Sequence, residues 1–115
     1  MNDPFNQELP HKDEAERTVL GAMLQSRTAI DEARQKITEN DFYQPNNKTI
    51  YRLICDLSDQ HGDVDTTLLC MTLTERKMLD HVGGLNYVGK LIDYAPTTSN
   101  VGIYADMVKD AAKRR

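Results

Sequence analysis

The sequence predicts an all-α fold, a small bundle of about six helices with no sheet. Three observations lead there. Ile50, Leu53, Ile54 and Leu57 recur at i, i+3, i+4, i+7, the spacing of one helix face. No segment keeps the apolar–polar alternation of a half-buried strand; "TTLLCMTL" comes nearest, but its polar residues do not alternate. Gly, Pro and cap-forming residues divide the chain into pieces of helix length.

Residues 1–10, with Pro4 and Pro10 and little periodicity, read as a flexible arm. A first helix follows in "DEAERTVLGAMLQ". Asp13 is its expected N-cap and Glu16 stands at capping-box spacing, while Ala15, Val19, Ala22 and Met23 recur with helical period. Gly21 inside the run costs about 1 kcal/mol relative to Ala, which points to close packing against a neighbour. Ile30, Ala33 and Ile37 predict a second helix over residues 29–37. "TENDFYQP" interrupts the pattern, and one of the adjacent aromatics Phe42 and Tyr43 is expected to plug the core. The third helix should start near Asn46 or Asn47 and end by Gly62. Asp65 is the next expected cap, opening a fourth helix through "LLCMTLTERKML". Gly83 and Gly84 read as a turn into a fifth helix, whose face would carry Leu85, Val88 and Ile92, with Gly89 a close-packing point. "YAPTTSN" breaks the chain at Pro96, and Thr98, Ser99 or Asn100 can cap the last helix.

The last helix is apolar over more than its core-facing stripe. Val101, Tyr104, Ala105, Val108 and Ala112 form one row, and Ile103 and Met107 widen it on one side. A second burial surface is therefore expected, either deep in the bundle or against a partner helix. The candidate partner interface is Ile103 and Met107, with Tyr104 and Ala111 beside them.

"GGLNYVGKL" offers G-x-x-x-x-G-K from Gly84 to Lys90, nearly a phosphate-binding loop. Such a loop needs an apolar strand leading into it and a hydroxyl after the Lys for Mg²⁺. Here the charged, helix-like "TERKMLDHV" precedes it, Leu91 replaces the hydroxyl, and Leu85, Tyr87 and Val88 crowd its interior. The glycines are punctuation, and no nucleotide is expected on this chain. His11, His61 and His81 have no partner at zinc spacing, and the carboxylates sit at helix starts and on solvated faces. No metal, cofactor or catalytic residue is expected here, so the chemistry is one of binding.

Composition narrows the partners. Fourteen basic against eighteen acidic residues leave a net charge of −4, with "KRR" at the chain end as the one basic cluster. A domain that gripped nucleic acid unaided would be basic. In the third helix Lys48 and Arg52 face Asp56 and Asp59, a poor recognition helix for duplex DNA. No apolar run reaches the roughly 18 residues of a membrane span. The start lacks signal-peptide character, and Cys55 and Cys70 form no C-x-x-C pair. A cytosolic chain with two free thiols is the expectation.

Four stretches, "LPHKDEAERTVLGAML", "ENDFYQPNNKTIYRLI", "VDTTLLCMTL" and "LDHVGGLNYVGKLIDYAPTTSNVGIYADMVKDAAKRR", in this order and spacing resemble the N-terminal domain of replicative DNA helicases of the DnaB family. The resemblance covers residues 9–115. It implies a small orthogonal helical bundle over residues 11–96, then, from residue 97, the first arm of a helical hairpin that is truncated at Arg115. It further implies a collar domain of a hexameric, ATP-driven helicase. Such a collar pairs with copies of itself and meets primase and, in some members, a helicase loader. ATP and Mg²⁺ would belong to a C-terminal ATPase domain outside this sequence. Single-stranded DNA would be engaged by the parent ring, weakly or not at all by this domain alone. The setting would be the cytoplasm of a bacterial or phage-infected cell. Two positions depart from the family pattern. Lys12 stands where Ser usually caps the first helix, and Asn47 stands where His is common, so any role special to that His is lost. The departures suggest a phage-encoded or otherwise distant member. The alternative from a different class is a stand-alone helical adaptor or DNA-binding regulator sharing this domain.

Overall fold

The structure, a computed structural model, describes residues 11–115; the arm expected over residues 1–10 lies outside them. Six α-helices are present among the described residues: α1 (His11–Met23), α2 (Arg27–Lys36), α3 (Pro45–His61), α4 (Thr66–Glu75), α5 (Gly84–Gly89) and α6 (Val101–Lys113). Three 3-10 turns, Glu39–Asp41, Asp80–Val82 and Leu91–Tyr94, join them, and no strand occurs among these residues.

The first helix lies at the centre, packed against α2, α3, α6 and the Leu91–Tyr94 turn. It buries Ala15, Val19, Leu20, Ala22 and Met23. Gly21 is the point of closest approach. A Cβ there would overlap the Leu91 carbonyl oxygen and sit 3.0 Å from its carbon, so only glycine lets that turn lie on the helix. The Gln25 side-chain amide completes the contact, donating to the carbonyls of Gly21 (3.1 Å) and Ala95 (2.7 Å).

α2 starts at Arg27, two residues before the expected Ala29, because Ser26 caps it by accepting from the Ala29 amide. Several local expectations hold, each for a visible reason. Asp65 caps α4, accepting from the Leu68 amide at 2.8 Å. Gly62 ends α3 at φ +89°, a conformation that suits glycine. Gly83 (φ +114°) and Gly84 (φ +81°) make the turn into α5. Phe42 is buried, its ring 4.9 Å from that of Tyr51, and exposed Tyr43 is its solvent-facing neighbour.

Other boundaries differ. α1 already begins at His11, so Asp13 lies inside the first turn rather than at the N-cap, and its carboxylate accepts from the Gln44 side chain at 3.1 Å. Glu16 is not a capping-box partner but a buried acceptor. α3 starts at Pro45, because a proline at the first position needs no amide partner there. α4 stops at Glu75 rather than running to residue 79: Lys77 takes φ +58° and the Met78 amide bonds back to the Leu73 carbonyl at 2.8 Å. That closure normally uses glycine, so no sequence signal marked it. α5 ends at Gly89, which faces open space rather than a close neighbour. The expected Leu85–Val88–Ile92 face is therefore broken: Val88 is buried, whereas Leu85 and Ile92 are exposed. At α6 the cap position is Asn100, but no side chain there supplies a capping bond.

A candidate partner-binding face

The orientation of α6 follows from its small residues. Val101, Gly102, Ala105, Val108 and Ala111 are buried, facing α1 and α2. At Gly102 a Cβ would meet only the ends of the Glu32 and Lys36 side chains of α2, which can shift aside. On one edge α6 is tied by Lys36–Asp106 (3.0 Å) and Lys109–Asp41 (3.3 Å).

That docking leaves Ile103 (57% exposed) and Met107 (43% exposed) one turn apart and facing solvent. Of the four residues expected at the interface, these two form the exposed ridge. Tyr104 is half-buried beside them, and Ala111 is turned into the bundle at 7% exposure. Beside the ridge runs an open groove of about 400 Å³ lined by Glu14, Ala15, Thr18, Asp93, Tyr94, Tyr104 and Met107. Tyr94 was not singled out from the sequence, because nothing local distinguishes it. It reaches the groove through the Leu91–Tyr94 turn and carries the Arg17 guanidinium 4.8 Å over its ring. The groove joins apolar surface, two phenols and two carboxylates. Such a surface suits contact with another protein; it has no nucleophile–base pair.

A second constellation holds the domain's centre. Glu16 is 2% exposed and accepts from the Tyr43 amide (2.6 Å), the Gln44 amide (3.3 Å) and the Asn47 side-chain amide (2.9 Å). The Asn47 carbonyl oxygen in turn accepts from the Tyr87 hydroxyl. Burial pushes the Tyr87 phenol up. The network serves structure: it pins the loop between α2 and α3 onto α1, and every carboxylate contact is a donor from this chain. The sequence did carry a signal for it. Glu16, Val19, Leu20 and Met23 share i, i+3, i+4, i+7 spacing, so a carboxylate sits on the buried stripe and needs partners.

Among the described residues no group of three or more His, Cys, Asp or Glu side chains is gathered as a metal site, and no helix is long and apolar enough to cross a membrane.

Comparison with known proteins agrees with this geometry. The profile of the family described as DnaB-like helicase N terminal domain matches residues 8–110. "Replicative DNA helicase DnaB" of Treponema pallidum is 39% identical over 106 residues, covering 92% of this chain and 24% of the relative. "Replicative DNA helicase DnaB" of Mycobacterium leprae is 33% identical, covering 99% of this chain and 19% of the relative. The chain thus spans about a quarter or less of the length of these relatives. The crystal structure of the N-terminal domain of DnaB helicase from Mycobacterium tuberculosis superposes with a TM-score of 0.84 at 35% identity, over 89% of this chain and 74% of that one. The profile match over residues 8–110, together with the 35% identical structure that superposes over 89% of the chain, places the chain in the family of DnaB-like helicase N-terminal domains.

Proposed function

We propose that this chain is the collar domain of a hexameric, ATP-dependent replicative DNA helicase, and that the outward face of α6 is where it meets other subunits or partner proteins. The observation that carries the reading is the Ile103–Met107 ridge, left in water by a helix whose Val101, Ala105, Val108 and Ala111 are packed. The relatives named as replicative helicases support it, since the matched region is a small part of each. In this reading copies of the domain pair within the ring, and the collar recruits primase and a helicase loader. ATP and Mg²⁺ act in a separate ATPase domain, and the ring, not this domain, holds single-stranded DNA. The work is done in the bacterial cytoplasm.

Magnitudes set what to expect of the isolated chain. Burying Ile103 and Met107 against a partner contributes roughly 1.5–3 kcal/mol each. Association itself costs at least several kcal/mol. Two side chains give weak pairing, so a longer chain that continues α6 should assemble more tightly. Sedimentation of such a longer chain, with and without Met107→Glu, tests the proposal. Assembly that the substitution weakens, with the fold retained, supports it. A longer chain that stays monomeric and binds a specific duplex sequence at physiological salt would point to the DNA-binding regulator instead.

A further inference from the structure

The two halves of α6 are held by different forces. Through Val108 the helix is anchored by buried apolar residues, Val101, Ala105 and Val108. Beyond it only the Ala111 methyl is buried, and Lys113, Arg114 and Arg115 are exposed. What holds this end is the loop between α2 and α3. The Asp41 carboxylate meets the Lys109 ammonium at 3.3 Å, the Asp41 carbonyl accepts from the Arg115 guanidinium at 2.8 Å, and that guanidinium lies 5.2 Å over the Tyr43 ring.

The loop itself is a stiff bracket. Phe42 plugs the core at 1% exposure, Asp41 accepts from the Thr38 amide at 2.9 Å, and the Tyr43 amide is gripped by buried Glu16 at 2.6 Å. A fixed bracket therefore meets a helix end that has almost no apolar anchor of its own.

We propose that Asp41 and Tyr43 form a salt-sensitive latch that sets the heading of the last turns of α6 and can release them while the first two turns stay docked. The Lys109 side chain is 40% exposed and the Asp41 side chain 12%, so solvent ions reach the pair from the Lys109 side. At about 1 M salt the screening length falls to about 3 Å, the size of the contact. A cation over an exposed ring is likewise a modest attraction, and the helix end loses these two, the Arg115–Asp41 carbonyl hydrogen bond and the burial of the Ala111 methyl on release. The latch does not depend on what covers Ile103 and Met107.

Native-state amide exchange resolves local opening of this kind residue by residue. In the 115-residue chain, Lys109→Gln and Tyr43→Ala should each speed exchange of the amides of residues 109–113 by about five-fold. Tyr43→Phe, which keeps the ring, should not, and the amides of α1 and of residues 105–108 should be unchanged. Raising salt to about 1 M should move the unsubstituted chain toward the Lys109→Gln pattern and change that variant little. Acceleration spread equally over α6 and α1, a response in one of the two variants alone, or no response in either overturns the latch.

Discussion

The buried carboxylate of Glu16 and the buried side-chain amide of Asn47 meet at 2.9 Å, with Asn47 0% exposed. This pair adds a polar join to the packing of α1 on α3, and Asn47 passes the link on to Tyr87 of α5. A buried network is stable only when each member is satisfied. Asn47→Ala removes one donor from Glu16 and the acceptor of Tyr87, so it should destabilise the fold by about 1–3 kcal/mol. Urea unfolding followed by circular dichroism measures this; a midpoint equal to the parent's would show that water replaces the side chain without penalty.

Gly21→Ala should also destabilise, despite replacing glycine within a helix. Ala gains about 1 kcal/mol of helix propensity. Its methyl, however, meets the Leu91 carbonyl, a backbone group that cannot rotate away, and overpacking costs typically about 1–3 kcal/mol. A thermal melt higher than the parent's would mean that the Leu91–Tyr94 turn moves off α1 freely.

Lys77→Gly should stabilise. A side chain at φ +58° costs roughly 1–2 kcal/mol relative to glycine. Part of that gain is offset by the roughly 0.4–1 kcal/mol of added unfolded-chain freedom. A net gain of about 0.5–1 kcal/mol is expected in chemical denaturation.

Substitutions on α6 should divide by face. Ile103→Asp on the exposed ridge should change stability by no more than about 0.5 kcal/mol, as surface changes do. Ala111→Asp places a carboxylate at a position only 7% exposed and should cost several times more. Comparable unfolding midpoints for the two variants would contradict the assigned orientation of the helix.

The thiols should differ in reactivity. Burial pushes both Cys55 and Cys70 up, away from the reactive thiolate. Cys55 is buried and Cys70 only partly so. Cys70 should react first with a disulfide reagent at neutral pH, and Cys55 slowly, on the timescale of local opening. Mass spectrometry of partly labelled protein decides between them.

The sequence by itself determined the helical class, the order of the six helices and the second apolar face of α6, because each is written in local spacing. Caps and glycines were equally legible where the residue type admits few alternatives, as at Asp65, Gly62 and Gly83. Gly21 could be read as a contact point, but the identity of its neighbour, the Leu91 carbonyl 70 residues on, could not. Tertiary structure alone decided that Asp13 turns to Gln44, that α4 closes through a left-handed lysine, and that Leu85 faces water while Val88 does not. It also decided which of Ile103, Tyr104, Met107 and Ala111 remain free to meet a partner. Helical period marks a face as apolar, but the rotation of the helix on its neighbours selects which part is covered. That rotation is set by the burial of Val101, Ala105, Val108 and Ala111 against α1 and α2, with the Lys36–Asp106 and Lys109–Asp41 pairs, between residues about 70 positions apart, along one edge.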